Sequence, residues 1–127
     1  MADFDTKWEI RTVYQRPRSI SDALDAISSG DAMVVSGGTD IFPAHVGRPI
    51  TRPVVDISAV AGLRGIVFDG ALYRIGGNTT WSDVLAAPLP LAFDGLKAAA
   101  REVGSIQIQN RGTIAGNLCN ADRKSVV

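Results

Sequence analysis

The segment Gly104-Ser105-Ile106-Gln107-Ile108-Gln109-Asn110-Arg111-Gly112-Thr113-Ile114-Ala115-Gly116-Asn117 constrains this chain more than any other. It follows an alanine-rich stretch and is polar, glycine-punctuated and interleaved with asparagines, the next of which is Asn120. Glycine costs about 1 kcal/mol in a helix interior, so this run is not expected to pack as one continuous core helix. The expectation is irregular backbone wrapped on something polar. Unstructured connections longer than about 12 residues are uncommon in compact domains unless functional. A ligand-binding loop and a long solvated loop both remain open on the residues alone.

A second segment has the same character. Ala32-Met33-Val34-Val35 is a short apolar run, the mark of a buried strand. It passes directly into Ser36-Gly37-Gly38-Thr39-Asp40. Glycines let backbone come close to a ligand and adopt positive φ, and successive amides in such a turn form an anion-binding nest. Thr39 adds a hydroxyl donor, and a helix starting near Asp40 would add its N-terminal dipole. Together these would suit a pyrophosphate. The alternative is a tight strand–helix turn with Thr39 or Asp40 as an ordinary cap.

The remaining elements alternate, which points to a mixed α/β (α+β) domain. Trp8 to Tyr14 alternates polar and apolar residues and reads as a strand ended by Pro17. Ser19 and Asp22 are spaced as an N-terminal cap for a short helix carrying Leu24 and Ile27 and stopped by Gly30. Pro53 to Ile57 reads as another buried strand. Ile66–Phe68 and Leu72–Ile75 flank Asp69-Gly70, a hairpin signal. Thr80 and Asp83 form a capping pair for a helix from Trp81 to Ala86, broken by Pro88 and Pro90. Leu91 to Val103 reads as a further helix, with Leu96 and Val103 on its apolar side.

Composition narrows the chemistry. A chain of 127 residues suffices for one domain, and 46% hydrophobic residues can form its core. Thirteen Lys plus Arg balance thirteen Asp plus Glu, so no basic excess argues for nucleic acid or a membrane surface. Apolar runs fall far short of a membrane span. Cys119 and His45 are single, which excludes a disulfide framework, an iron–sulfur cluster and a structural zinc site. A lone thiol fits a reducing cytoplasm; Cys119 reads as a small buried hydrophobe, and His45 as a surface or helix-end residue. No phosphate-binding G-x-x-x-x-G-K-[ST] loop, G-x-G-x-x-G fingerprint or H-E-x-x-H helix is present. No catalytic acid, base or nucleophile and no metal ligand is expected.

Four blocks in order, Ser36-Gly37-Gly38-Thr39-Asp40-Ile41, Val55-Asp56-Ile57-Ser58, Ile75-Gly76-Gly77-Asn78-Thr79-Thr80 and Gly104 to Leu118, resemble the signature of the FAD-binding medium subunit of molybdenum hydroxylases, of the xanthine dehydrogenase and aerobic carbon monoxide dehydrogenase type. Each block is weak alone; four at the family's spacing are specific. The resemblance implies the FAD-binding fold of the PCMH (p-cresol methylhydroxylase) and vanillyl-alcohol-oxidase type. It implies that Val34, Val35, Ser36, Gly37, Gly38, Thr39, Asp40 and Ile41 wrap the FAD pyrophosphate, that Thr79 and Thr80 lie near the flavin, and that Gly112, Thr113, Gly116, Asn117 and Asn120 line a second FAD loop. It further implies a molybdopterin-containing large subunit and a 2Fe-2S small subunit as partners, with NAD, a quinone or oxygen as electron acceptor.

The chain departs from that pattern twice. Gln109 stands where the family usually has Arg. After Ala121 the family's pattern is not continued: residues 1–121 are expected to be the N-terminal part of the domain, C-terminally truncated, and Asp122 to Val127 a non-native tail. Two other readings use the same residues. One is a stand-alone flavin oxidoreductase of this fold; the other is a non-redox interaction domain that has lost the cofactor.

Overall fold

The computed structural model describes residues 14–28, 30–37 and 52–120, without the side chain of Asn120. Trp8 to Val13, Gly38 to Ile41, His45, Ala121 and the tail from Asp122 to Val127 lie outside the described residues.

The first layer is a parallel sheet. Strand β1 is Tyr14–Gln15, β2 is Met33–Val35 and β3 is Val54–Asp56, in the spatial order β1-β3-β2. The register pairs Tyr14 and Met33 with Val54, and Val35 with Asp56. Val54 and Val55 are buried on both faces of the central strand, as parallel strands require. β2 differs from the expected buried strand. It borders the sheet among the described residues, so Val35 is buried while Val34 is 42% exposed.

Helix α1, Ile20–Ile27, connects β1 to β2. Its start follows from the expected cap: the Ser19 hydroxyl accepts from the Asp22 amide at 3.1 Å. Beyond β3 the chain makes two 3₁₀ turns, Ile57–Ala59 and Ala61–Leu63, and then the antiparallel hairpin of β4 (Ile66–Phe68) and β5 (Tyr73–Ile75). Its turn is closed by the Asp69 carboxylate, which accepts from the amides of Ala71 and Leu72.

Helix α2, Trp81–Ala86, opens with a full capping box. The Thr80 hydroxyl accepts from the Asp83 amide, and the Asp83 carboxylate accepts from the Thr80 amide, each at 3.1 Å. Leu91 to Val103 is divided where one helix was expected. Leu91–Phe93 is a 3₁₀ turn after Pro90, and α3 is Asp94–Arg101. Trp81, Val84 and Ala100 form a second core where α2 meets α3, with Ile66, Leu85, Leu89, Leu96, Val103 and Ile114 packed around it.

The largest correction concerns 104–120. This stretch is two short helices, α4 (Ile106–Arg111) and α5 (Ile114–Asn120). Hydroxyl caps explain the difference. The Ser105 hydroxyl accepts from the Ile108 amide at 3.3 Å, and the Thr113 hydroxyl from the Gly116 amide at 3.1 Å. Gly104 and Gly112 sit beside these caps, and Gly116 lies where Ser36 approaches closely. Cys119, expected to be buried, is exposed on α5, as is its neighbour Leu118. No helix among the described residues is long and apolar enough to cross a membrane.

Candidate functional site: a cleft at the ends of the parallel strands

All three parallel strands end at one cleft of about 380 Å³. Tyr14 and Arg16 reach it from β1, Val35 and Gly37 from β2, and Asp56 and Ser58 from β3; Arg64, Asn78, Thr80, Asn110, Arg111 and Thr113 complete the wall. The carboxyl ends of parallel strands are where open α/β sheets bind ligands, because the connections diverge there and leave a crevice.

Two glycine-rich segments distant in sequence are locked together at this cleft. Gly37 has φ +82°, and a Cβ on it would run into the Arg111 carbonyl oxygen and lie 3.1 Å from the carbonyl carbon. Glycine is therefore required twice, for conformation and for space. A Cβ on Gly116 would lie 2.9 Å from the Thr113 hydroxyl and 3.2 Å from the Ser36 carbonyl oxygen. The Thr113 hydroxyl donates to that same Ser36 oxygen at 3.3 Å. An antiparallel bridge joins Thr80 to Thr113, and the Ile114 amide donates to the Thr79 carbonyl oxygen at 3.0 Å.

Asn78 ties these pieces together. It is 3% exposed; its side-chain oxygen accepts from the Ser36 hydroxyl at 2.7 Å and its amide donates to the Ile57 carbonyl oxygen at 2.6 Å. A buried amide with both ends satisfied fixes the loops after β2 and β3 relative to each other.

The cleft's charges are arranged unequally. The Tyr14 hydroxyl donates to Asp56 at 2.6 Å, the Ser58 amide donates to the same carboxylate at 2.9 Å, and the Arg16 guanidinium lies 3.8 Å away. Burial pushes Asp56 up, but the hydrogen bonds from Tyr14 and Ser58 and the Arg16 charge outweigh it, so the carboxyl is held below its usual range. The hydrogen bond to Asp56 raises Tyr14, helped by burial and by the carboxylate's charge. Arg64 makes a bidentate pair with Asp83 at 2.8 and 2.9 Å. That hydrogen bonding lowers Asp83 against the opposing effect of burial.

Known proteins resemble this chain over most of its length. The sequence profile described as the FAD binding domain in molybdopterin dehydrogenase matches residues 5–126. The chain belongs to this family. It is 32% identical over 117 residues to the nicotine 6-hydroxylase medium subunit of Paenarthrobacter nicotinovorans, covering 86% of this chain and 40% of that one. It is 31% identical over 115 residues to the carbon monoxide dehydrogenase medium chain of Hydrogenophaga pseudoflava, covering 87% and 40%. The solved carbon monoxide dehydrogenase from Hydrogenophaga pseudoflava superposes with a TM-score of 0.79 at 30% identity, over 88% of this chain and 40% of that chain. The chain thus spans about 40% of the length of the curated relatives it matches.

The cofactor of this family is FAD, and the residues present suit its diphosphate. Arginines, hydroxyls and side-chain amides face one cleft, with Asp56 its single lining carboxylate among the described residues. The loop that meets them is glycine with positive φ, as close backbone approach to an anion requires.

The expected site residues take different places in the fold. Val35, Gly37, Thr80 and Thr113 line the cleft. Ser36, Gly112 and Gly116 stand behind it as structural contacts, and Val34 points outward. The Thr79 hydroxyl is committed elsewhere: it accepts from the Gly65 amide at 3.0 Å and donates to the Gly65 carbonyl oxygen at 3.1 Å, with the residue fully buried. Asn117 sits within α5 with its amide bonded to the Thr113 carbonyl oxygen. Gly38, Thr39, Asp40, Ile41 and the Asn120 side chain lie outside the described residues. Gln109, the departure from the family pattern, donates to the Arg101 carbonyl oxygen at 3.1 Å and does not line the cleft.

Sequence reasoning missed Tyr14, Arg16, Asp56, Ser58, Arg64, Asn78, Asn110 and Arg111 as parts of one site. One signal was available: Asp56 ends the apolar run Val54-Val55, and a carboxylate at the carboxyl end of a buried strand points to a ligand crevice.

Proposed function

We propose that this chain binds FAD through its diphosphate in the cleft at the ends of β1, β2 and β3, within a flavoprotein subunit of a molybdenum hydroxylase. The observation that carries this reading is the convergence of the 36–37, 78–80 and 110–113 segments, all rich in Gly, Asn, Ser or Thr, on the carboxyl ends of parallel strands. Gly37 to Thr39 would hold the diphosphate with Thr113, while Thr80 and the 112–120 segment would hold neighbouring parts of the cofactor. Asn78 and the Ser36–Thr113 contact hold Ser36 against the 78–80 and 112–116 segments before any ligand arrives, which lowers the ordering cost at those residues. When bound, FAD supplies redox chemistry able to link 2Fe-2S clusters of a small subunit, fed by a molybdopterin-containing large subunit, to NAD, a quinone or oxygen. The chain's own side chains bind and orient; none is needed as acid, base or nucleophile. A cytoplasmic location belongs to the same reading.

The test is the visible absorption spectrum of the purified full gene product, with and without added FAD. Flavin bands at near-stoichiometric amount support the reading. A folded, colourless protein that ignores FAD rejects it and favours an interaction domain.

A further inference from the structure

Three arginines line the cleft, and their surroundings set them apart. Arg64 is held bidentately by Asp83. Arg16 faces Asp56 at 3.8 Å and donates to the Ser58 hydroxyl at 3.3 Å. Arg111 has no carboxylate within ion-pairing distance among the described residues. Its backbone is nonetheless the best-located of the three, because the Arg111 carbonyl packs directly on Gly37.

We infer that Arg111 is the cation that reads the diphosphate charge, while Arg16 and Arg64 position the cleft wall through their own carboxylates. This inference rests on the FAD reading above and adds a residue and a role to it. A guanidinium suits the task because its planar fork matches two phosphate oxygens. Backbone nests supply direction but only partial charge, so two phosphate charges in one cleft call for a full cation. Docking of Gly37 against the Arg111 carbonyl sets the described start of the glycine-rich loop directly beside the residue that carries the cation.

The experiment uses the full gene product and measures equilibrium binding of FAD and of ADP, which carries the diphosphate without the flavin. Wild type is compared with Arg111→Gln and Arg111→Lys at low and high ionic strength. Arg111→Gln is expected to weaken both ligands by about tenfold or more, the size of one charge-assisted hydrogen bond. Arg111→Lys, which keeps the charge and loses the fork, is expected to fall between. Added salt should weaken wild type more than Arg111→Gln. If Arg111→Gln does not fold, the Lys variant and the wild-type salt dependence still decide: wild-type affinity unaffected by salt together with a Lys variant equal to wild type overturns the inference. Arg111→Gln binding FAD and ADP within about twofold of wild type overturns the inference alone and leaves the FAD reading standing. Wild type binding neither ligand defeats the FAD reading, and the inference falls with it.

Discussion

Gly30 and Gly37 provide a matched pair of perturbations. Both hold left-handed backbone, with φ +81° and +82°. An alanine at either position meets the same conformational cost, about 1–2 kcal/mol. At Gly30 nothing lies within 4 Å of the added Cβ, so that cost is the whole effect. At Gly37 the Cβ meets the Arg111 carbonyl, which is backbone at the end of α4 and cannot swing aside. Forcing an extra carbon into such a contact adds about 1–3 kcal/mol. Gly30→Ala should therefore destabilise by about 1–2 kcal/mol and Gly37→Ala by about 2–5 kcal/mol. Urea unfolding at constant m-value measures both. Flavin titration of the two variants supplies the second readout: Gly37→Ala should weaken FAD and Gly30→Ala should not. Equal destabilisation by the two alanines would refute the claim that the 36–37 loop is packed on the Arg111 backbone.

Other expectations concern the supports of the cleft. Asp56 and Asp83 have folded pKa values below their unfolded ones. Their contribution is full above the unfolded carboxylate range and is lost as pH falls through the folded values, so acid unfolding should steepen on that side. Asp56→Asn should lose about 1–2 kcal/mol at neutral pH, a difference from wild type that shrinks on acidification. Thr80→Ala removes half of the α2 capping box and should cost about 1 kcal/mol in thermal or urea unfolding. Arg64→Ala should cost no more than about 1 kcal/mol, because its side chain is 55% exposed and the pair is screened. Val84→Ala, in the fully buried core between α2 and α3, should cost about 1.5–3 kcal/mol with no selective effect on FAD affinity.

Local signals in the sequence mapped well onto local structure. Ser19 and Thr80 cap the helices they were expected to cap, and Asp69-Gly70 turns the hairpin. These features depend on neighbours a few residues away, so spacing alone reveals them. The 104–120 segment was misread because its stability is not local. Gly116 is tolerated inside α5 because Thr113 and Ser36 press against it, and Ser36 lies far away in the chain. Val34 was expected to be buried because an apolar run carries no information on whether a strand borders the sheet. The same limit governs the site. The glycine-rich blocks were legible as candidate ligand loops, whereas Asn78 and Arg111 acquire their roles only through contacts across the fold.

The most direct test of the central claim is to follow backbone amide resonances of the full gene product during an FAD titration. The account predicts saturable shifts concentrated at Val35 to Thr39, Asn78 to Thr80 and Asn110 to Asn120, the segments that meet at the cleft or are proposed to continue it. Saturable binding with shifts elsewhere, or a folded protein whose spectrum FAD leaves unchanged, would contradict it.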